Sequence, residues 1–176
     1  MDDVLKTLQD AGYKPVLNTD EDFPAVEGEY AVSVKTLRPW VNEETDTKEA
    51  YMLQLAVSQT LSGELADGRL LTRFYRITGN GYNGQAITKE QAADNFRRLF
   101  NDCFTLGVEL DRSSTEALET SFATAIGASG FARAWKQKNR SNPEGPMTQS
   151  FRIKTEKDLR KASQDGVAGR TERAPF

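Results

Sequence analysis

Histidine is missing from all 176 residues, and cysteine occurs once, at Cys103. The first absence removes the commonest general base, the usual member of a catalytic triad and the usual transition-metal ligand. One thiol without an imidazole cannot build a zinc centre, and a lone cysteine cannot close a disulfide within the chain. Cys103 falls on the apolar side of a predicted helix, where packing is a better account of it than nucleophilic work. Carboxylate-only magnesium chemistry or a Lys/Tyr mechanism is what these absences leave open. The acidic cluster Asp20-Glu21-Asp22 is the candidate for a cation, and it reads more simply as a solvated charge run. No enzymatic activity, cofactor or metal is expected. Long apolar runs are also missing: none approaches the roughly 18 residues of a membrane span. The opening MDDVLKTLQD has no signal-peptide character, so the expected setting is a reducing cytoplasm.

What is present is a globular composition with its charges segregated. Hydrophobic residues make up 38% and charged residues 28%, which suits one folded domain with looser flanks. The net charge of −3 hides an asymmetry. Residues 1–30 carry two bases against eight acids, whereas residues 131–176 carry eleven bases against five acids. Binding responds to local potential, so a mildly acidic total does not exclude a basic working face.

That basic half contains the stretch with the clearest chemistry, residues 130–154. Phe131, Arg133 and Trp135 alternate with Ala132, Ala134, Lys136 and Lys138, which predicts a strand. Asn139-Arg-Ser-Asn-Pro-Glu-Gly-Pro146 is a polar turn, and 147–154 alternates again as a return strand. Six bases (Arg133, Lys136, Lys138, Arg140, Arg152 and Lys154) and one acid, Glu144, are interleaved with three aromatics. Cations for phosphates beside rings for bases are what a single-stranded nucleic-acid surface needs. The plainer alternative is an amphipathic hairpin with core aromatics and solvated bases.

From the start of the chain, a short helix is predicted over 2–11 with Val4, Leu5 and Leu8 on one side, followed by an irregular acidic segment. Strands follow at about 28–38, 51–60 and 69–78, the first two separated by an acidic loop over 39–49 that carries Trp40. Asp67-Gly68 marks the turn before the third strand, whose two faces are both mixed. Gly79-Asn-Gly81-Tyr-Asn-Gly84 spells GxGxxG, but the basic strand before it and the lack of a second strand-helix-strand unit favour a plain loop. Thr88-Lys-Glu-Gln91 is a capping box opening a helix to 106, with Phe96, Leu99, Phe100 and Cys103 on its buried stripe. A shorter helix from 113 to about 126 precedes the basic hairpin. The expected organisation is an N-terminal helix and acidic segment over 1–22, a folded domain over 23–156 and a polar, flexible tail over 157–176, with a short helix expected from about 156 at its start.

Three strands, a helical insertion and two strands is the element order of an OB-fold. The expected fold is therefore β-rich α+β: an OB-fold-like five-stranded barrel with a helical insertion between strands three and four. The run Phe23-Pro-Ala-Val-Glu-Gly-Glu-Tyr30-Ala-Val-Ser-Val34, followed by a polar loop and Tyr51-Met-Leu-Gln-Leu-Ala-Val57, resembles the opening of phage-encoded single-stranded-DNA-binding proteins. The resemblance extends over about residues 23–155 and implies coating of single-stranded DNA, with little sequence preference, during phage replication or recombination. Phosphate neutralisation is expected from Lys35, Arg73, Arg76, Arg133, Lys136, Lys138 and Arg140, with stacking by Trp40, Tyr75 and Trp135. The terminal Ala174-Pro175-Phe176 resembles the Pro-Phe tip through which bacterial single-stranded-DNA-binding proteins engage replication or recombination partners. The acidic stretch that precedes that tip is missing here, with Arg170 and Arg173 flanking Glu172. A homo-oligomer is compatible with this reading. The rival from another class is a protein-interaction module, such as a phage inhibitor of a host enzyme.

Overall fold

Tyr30, Val32 and Val34 recur at alternate positions, as do Tyr51, Leu53, Leu55 and Val57, and pairing of the two runs puts all seven on one buried face. The computed structural model describes residues 2–11, 25–81 and 84–159. Its elements are α1 (Asp2–Asp10), β1 (Gly28–Asn42), β2 (Thr47–Gly63), β3 (Leu70–Arg76), α2 (Lys89–Thr105), α3 (Thr115–Ser121), β4 (Ser129–Gln137) and β5 (Thr148–Lys154). The five strands form one antiparallel sheet in the order β3-β2-β1-β4-β5, with the helices between β3 and β4. This is a β-rich α+β fold.

β1 organises the sheet because it pairs with β2 along its whole length and with β4 along Gly28 to Ser33. Four register shifts interrupt the β1–β2 ladder. Each shift inserts extra twist, which is how so long a ribbon curves around a core instead of lying flat. The sheet's inner face is completed by Leu71 and Tyr75 of β3, Ala132 and Ala134 of β4, and Phe151 and Ile153 of β5. Leu99 and Cys103 of α2 cover it, both fully buried. Burial, and then the adjacent Asp102 carboxylate, pushes the Cys103 thiol up to about 12, so it stays protonated and unreactive at neutral pH.

The capping box forms as its residues require. The Thr88 hydroxyl accepts from the Gln91 backbone N–H at 3.1 Å, and the Gln91 side chain accepts from the Thr88 N–H at 2.9 Å. A Cβ at Gly130 would stand 2.5 Å from Leu106 Cδ2, so the glycine lets the end of the α2 segment close onto β4. Ser114 caps α3, and Glu119 on that helix accepts from Tyr51 at 3.1 Å while ion-pairing with Lys48.

Several boundaries differ from the sequence reading. β1 and β2 run on as a ribbon to Asn42 and from Thr47, so the expected acidic loop shrinks to a tip over 43–46 and Trp40 lies on a strand. Alternation simply continues there, with the acids of the tip left in water. A turn of helix over 156–159 buries Leu159, carrying the packed part past residue 156. The rest of the expected tail, including Pro175 and Phe176, lies outside the described residues, as does Asp20-Glu21-Asp22. Val4 and Leu5 of α1 are exposed and do not reach the core.

The buried tyrosines make stability pH-dependent on the alkaline side. Burial is the largest cause raising the hydroxyl pKa of Tyr30, Tyr51 and Tyr75 above the ordinary 10.0, with Glu64, Glu119 and Asp102 adding to it respectively. Each hydroxyl therefore stays protonated in the fold at a pH where the unfolded chain has ionised. Their contribution is complete below about pH 10 and is lost as pH rises through the folded values. All three shifts have the same sign, so stability should fall as pH rises past the value at which the unfolded tyrosines ionise. Urea unfolding at roughly pH 8 and roughly pH 11 tests this, and equal midpoints would show that the tyrosines ionise freely in the fold.

Candidate nucleic-acid interface

The strand registers sort the proposed site residues onto two faces. Cross-strand partners share a face, so Thr36–Gln54–Thr72, Arg38–Met52–Phe74 and Trp40–Ala50–Arg76 are three successive rows on the outer side of β1, β2 and β3. The intervening rows, Leu37–Leu53–Arg73 and Pro39–Tyr51–Tyr75, face inward. Trp40 and Phe74 meet edge to face across this surface, with ring centroids 6.0 Å apart. Phe74 keeps 36% of its surface exposed and Leu70, four residues back on β3, keeps 41%. Met52, in the same row as Phe74, is buried. Arg38 and Arg76 flank the rings in the outer rows. Lys35 is exposed at the bulge between Val34 and Thr36.

Two of the expected contacts are corrected by this register. Tyr75 is 1% exposed and donates to Asp102 Oδ2 at 2.5 Å, so its ring is core and is not offered for stacking. Arg73 points inward beside it. Its Nη1 lies 2.7 Å from Asp102 Oδ2, its Nη2 donates to the Phe151 carbonyl, and its Cζ sits 4.2 Å from the centre of the Phe151 ring. Both side chains are spent on joining β3, α2 and β5.

The second patch lies on β4 and β5. Ala132 and Ala134 are buried, which leaves Phe131, Arg133 and Trp135 on the outer side. Trp135 is 37% exposed, opposite Ser150, while Arg133 is opposite Arg152 and Phe131 opposite Lys154. Arg133 is ion-paired with Glu29, its β1 neighbour. Lys136 is paired with Glu64 at 2.7 Å, and that hydrogen bond raises its pKa. Lys138 and Arg140 are exposed in the 138–147 loop. The two patches are not one site. Phe131 is level with Ala31 and Trp40 lies nine residues further along β1, about 30 Å of extended strand before the bulges shorten it.

Sequence reasoning missed Arg38 and Phe74. The signal for Phe74 was available in principle. Once Tyr51, Leu53 and Leu55 are taken as inward, a β3 in register places Leu71 and Tyr75 inward, and Phe74 must turn out.

Compared with known protein families and with curated proteins, the sequence matches none of them. Among the described residues no three His, Cys, Asp or Glu side chains stand together as a metal site would need, and no helix is long and apolar enough to cross a membrane.

Proposed function

We propose that the chain is an OB-fold-like protein that coats single-stranded DNA, with little sequence preference, in phage replication or recombination. The observation that carries this reading is the Trp40–Phe74 pair on the outer side of β1–β3, framed by Arg38 and Arg76. Exposed rings accept any base by its π-face, and neighbouring guanidiniums hold the backbone. The strand order supports the fold half of the reading. An OB barrel joins β3 to β5, the two outer strands here, and Arg73 already reaches from one to the other. Trp135, Lys138 and Arg140 supply a second contact, and no cofactor enters the mechanism. Assembly with replication or recombination partners through Pro175-Phe176, and a homo-oligomeric state, belong to the same proposal.

A protein-interaction module remains the second reading, favoured by one observation. Arg73, Arg133 and Lys136 are each committed to a carboxylate of the chain itself, which thins the positive charge around the aromatics. Labelled oligo-dT and a matched duplex, each titrated at two salt concentrations, separate the readings. Neutralisation of about three to five phosphates predicts a slope of log K against log salt near −2 to −3.5 on the single strand, with weaker duplex binding. A flat salt response, or no binding, would remove the DNA reading and leave the protein-interaction reading.

A further inference from the structure

An open groove of about 450 Å³ lies between α2 and β5 and borders the second patch at Arg152. Arg97, Arg98, Asn101 and Thr105 of α2 form one wall, Arg152 of β5 stands on the other, and Arg73 lies at its floor. The α2 residues recur at helical spacing, so a single face of the helix is turned toward the strand. Two carboxylates also line the groove, but each is committed: Asp94 to Arg97 and Asp102 to Arg73. Arg98 and Arg152 are both exposed, and among the described residues neither guanidinium has a carboxylate or hydrogen-bond partner. Arg152 also stands opposite Arg133 in the β4–β5 register, and its β5 neighbour Lys154 is on the same face.

We infer that this groove is a second phosphate track, which takes the sugar-phosphate backbone of a single strand leaving the sheet's outer face. The inference rests on the DNA reading above. Like charges facing one groove repel unless an anion lies between them, and guanidiniums match phosphate oxygens by their planar fork of donors. The groove has no exposed ring of its own, so it binds backbone rather than bases. Its position supports continuity with the stacking face. Arg152 sits one strand from Trp135, and Arg73, beneath the groove, belongs to the strand whose opposite side presents Phe74.

The experiment compares the parent protein with Arg98→Ala/Arg152→Ala on two lengths of oligo-dT, about 5 and about 16 nucleotides, within the span seen for one OB-fold. The longer strand reaches the groove and the shorter one is satisfied by the sheet face. Losing two phosphate contacts should weaken the longer strand roughly twentyfold at ~0.1 M salt and flatten its salt slope by about 1.4. Binding of the shorter strand should stay unchanged. Arg112→Ala, an exposed arginine of the loop between α2 and α3, serves as the charge control, and melting curves check that each variant folds. Unchanged affinity and slope on the longer strand would overturn the groove and leave the sheet-face reading intact. Equal losses on both lengths would also overturn it, by placing the two arginines in the primary site. A parent that binds neither length would overturn the DNA reading itself, and the groove with it.

Discussion

Arg73→Ala is expected to destabilise the protein by about 3 kcal/mol, the usual cost of removing one partner from a buried ion pair. The side chains of Arg73 and Asp102 are only 11% and 14% exposed, so water does little to replace the lost contact. The substitution strips Asp102 of its cation, leaving the Tyr75 hydroxyl as its donor, and takes the Arg73 donor from the Phe151 carbonyl. It also removes the guanidinium packed on the Phe151 ring. For a domain of this size the loss corresponds to a melting temperature lower by roughly 6–12 °C. Arg73→Lys keeps the charge but not the two-pronged fork, and it should recover part of the loss. Urea unfolding of the three proteins measures this directly. The same variants decide what Arg73 is for. Oligo-dT affinity per folded molecule should be unchanged within about twofold if the side chain acts as a tie between β3 and β5, whereas a phosphate contact would cost several-fold. A full-strength fold in Arg73→Ala would show that other contacts hold the two outer strands together.

Arg73 also marks the limit of what the sequence could tell. The apolar alternation of β1, β2 and β5 fixes which residues face inward, because a strand has only two sides and one of them must be buried, whereas on β4 both sides carry apolar residues and the buried one holds the small Ala132 and Ala134. The capping box and the apolar stripe of α2 are legible for the same reason, as local rules with one outcome. β3 is different. Its odd positions hold Leu71, Arg73 and Tyr75 and its even ones Leu70, Thr72, Phe74 and Arg76, so hydrophobicity does not choose. The choice is made by groups far away in sequence, Asp102 on α2 and the Phe151 carbonyl on β5, which satisfy a cation and a hydroxyl inside the fold. An ion pair between residues 73 and 102 leaves no periodic trace. The same limit applies to Arg133 and Lys136, whose acids Glu29 and Glu64 come from far earlier in the chain. A count of bases in a hairpin reads as free charge what the fold has already neutralised.

The Trp40–Phe74 pair is where the largest loss of binding is expected. Each exposed ring that stacks a base contributes about 1–3 kcal/mol, so Trp40→Ala/Phe74→Ala should weaken oligo-dT binding by about a hundredfold. Trp135 stands without a partner ring on β4, and its loss should remove one platform only. The fold should survive the double substitution. Phe74 is 36% exposed and Trp40 is half-buried, so their apolar contact is worth roughly 1–2 kcal/mol together. Retaining apolar bulk without a π-face sharpens the comparison. Trp40→Phe should bind nearly as the parent does, and Trp40→Leu should bind nearly as Trp40→Ala does, because a base needs the ring and not merely a greasy surface. An apolar partner protein would order them differently, accepting leucine far better than alanine. Affinity for oligo-dT and thermal unfolding measured on the same preparations read both quantities. Should the double variant fold and still bind the single strand within about twofold of the parent, the outer face of β1–β3 is not where DNA lies.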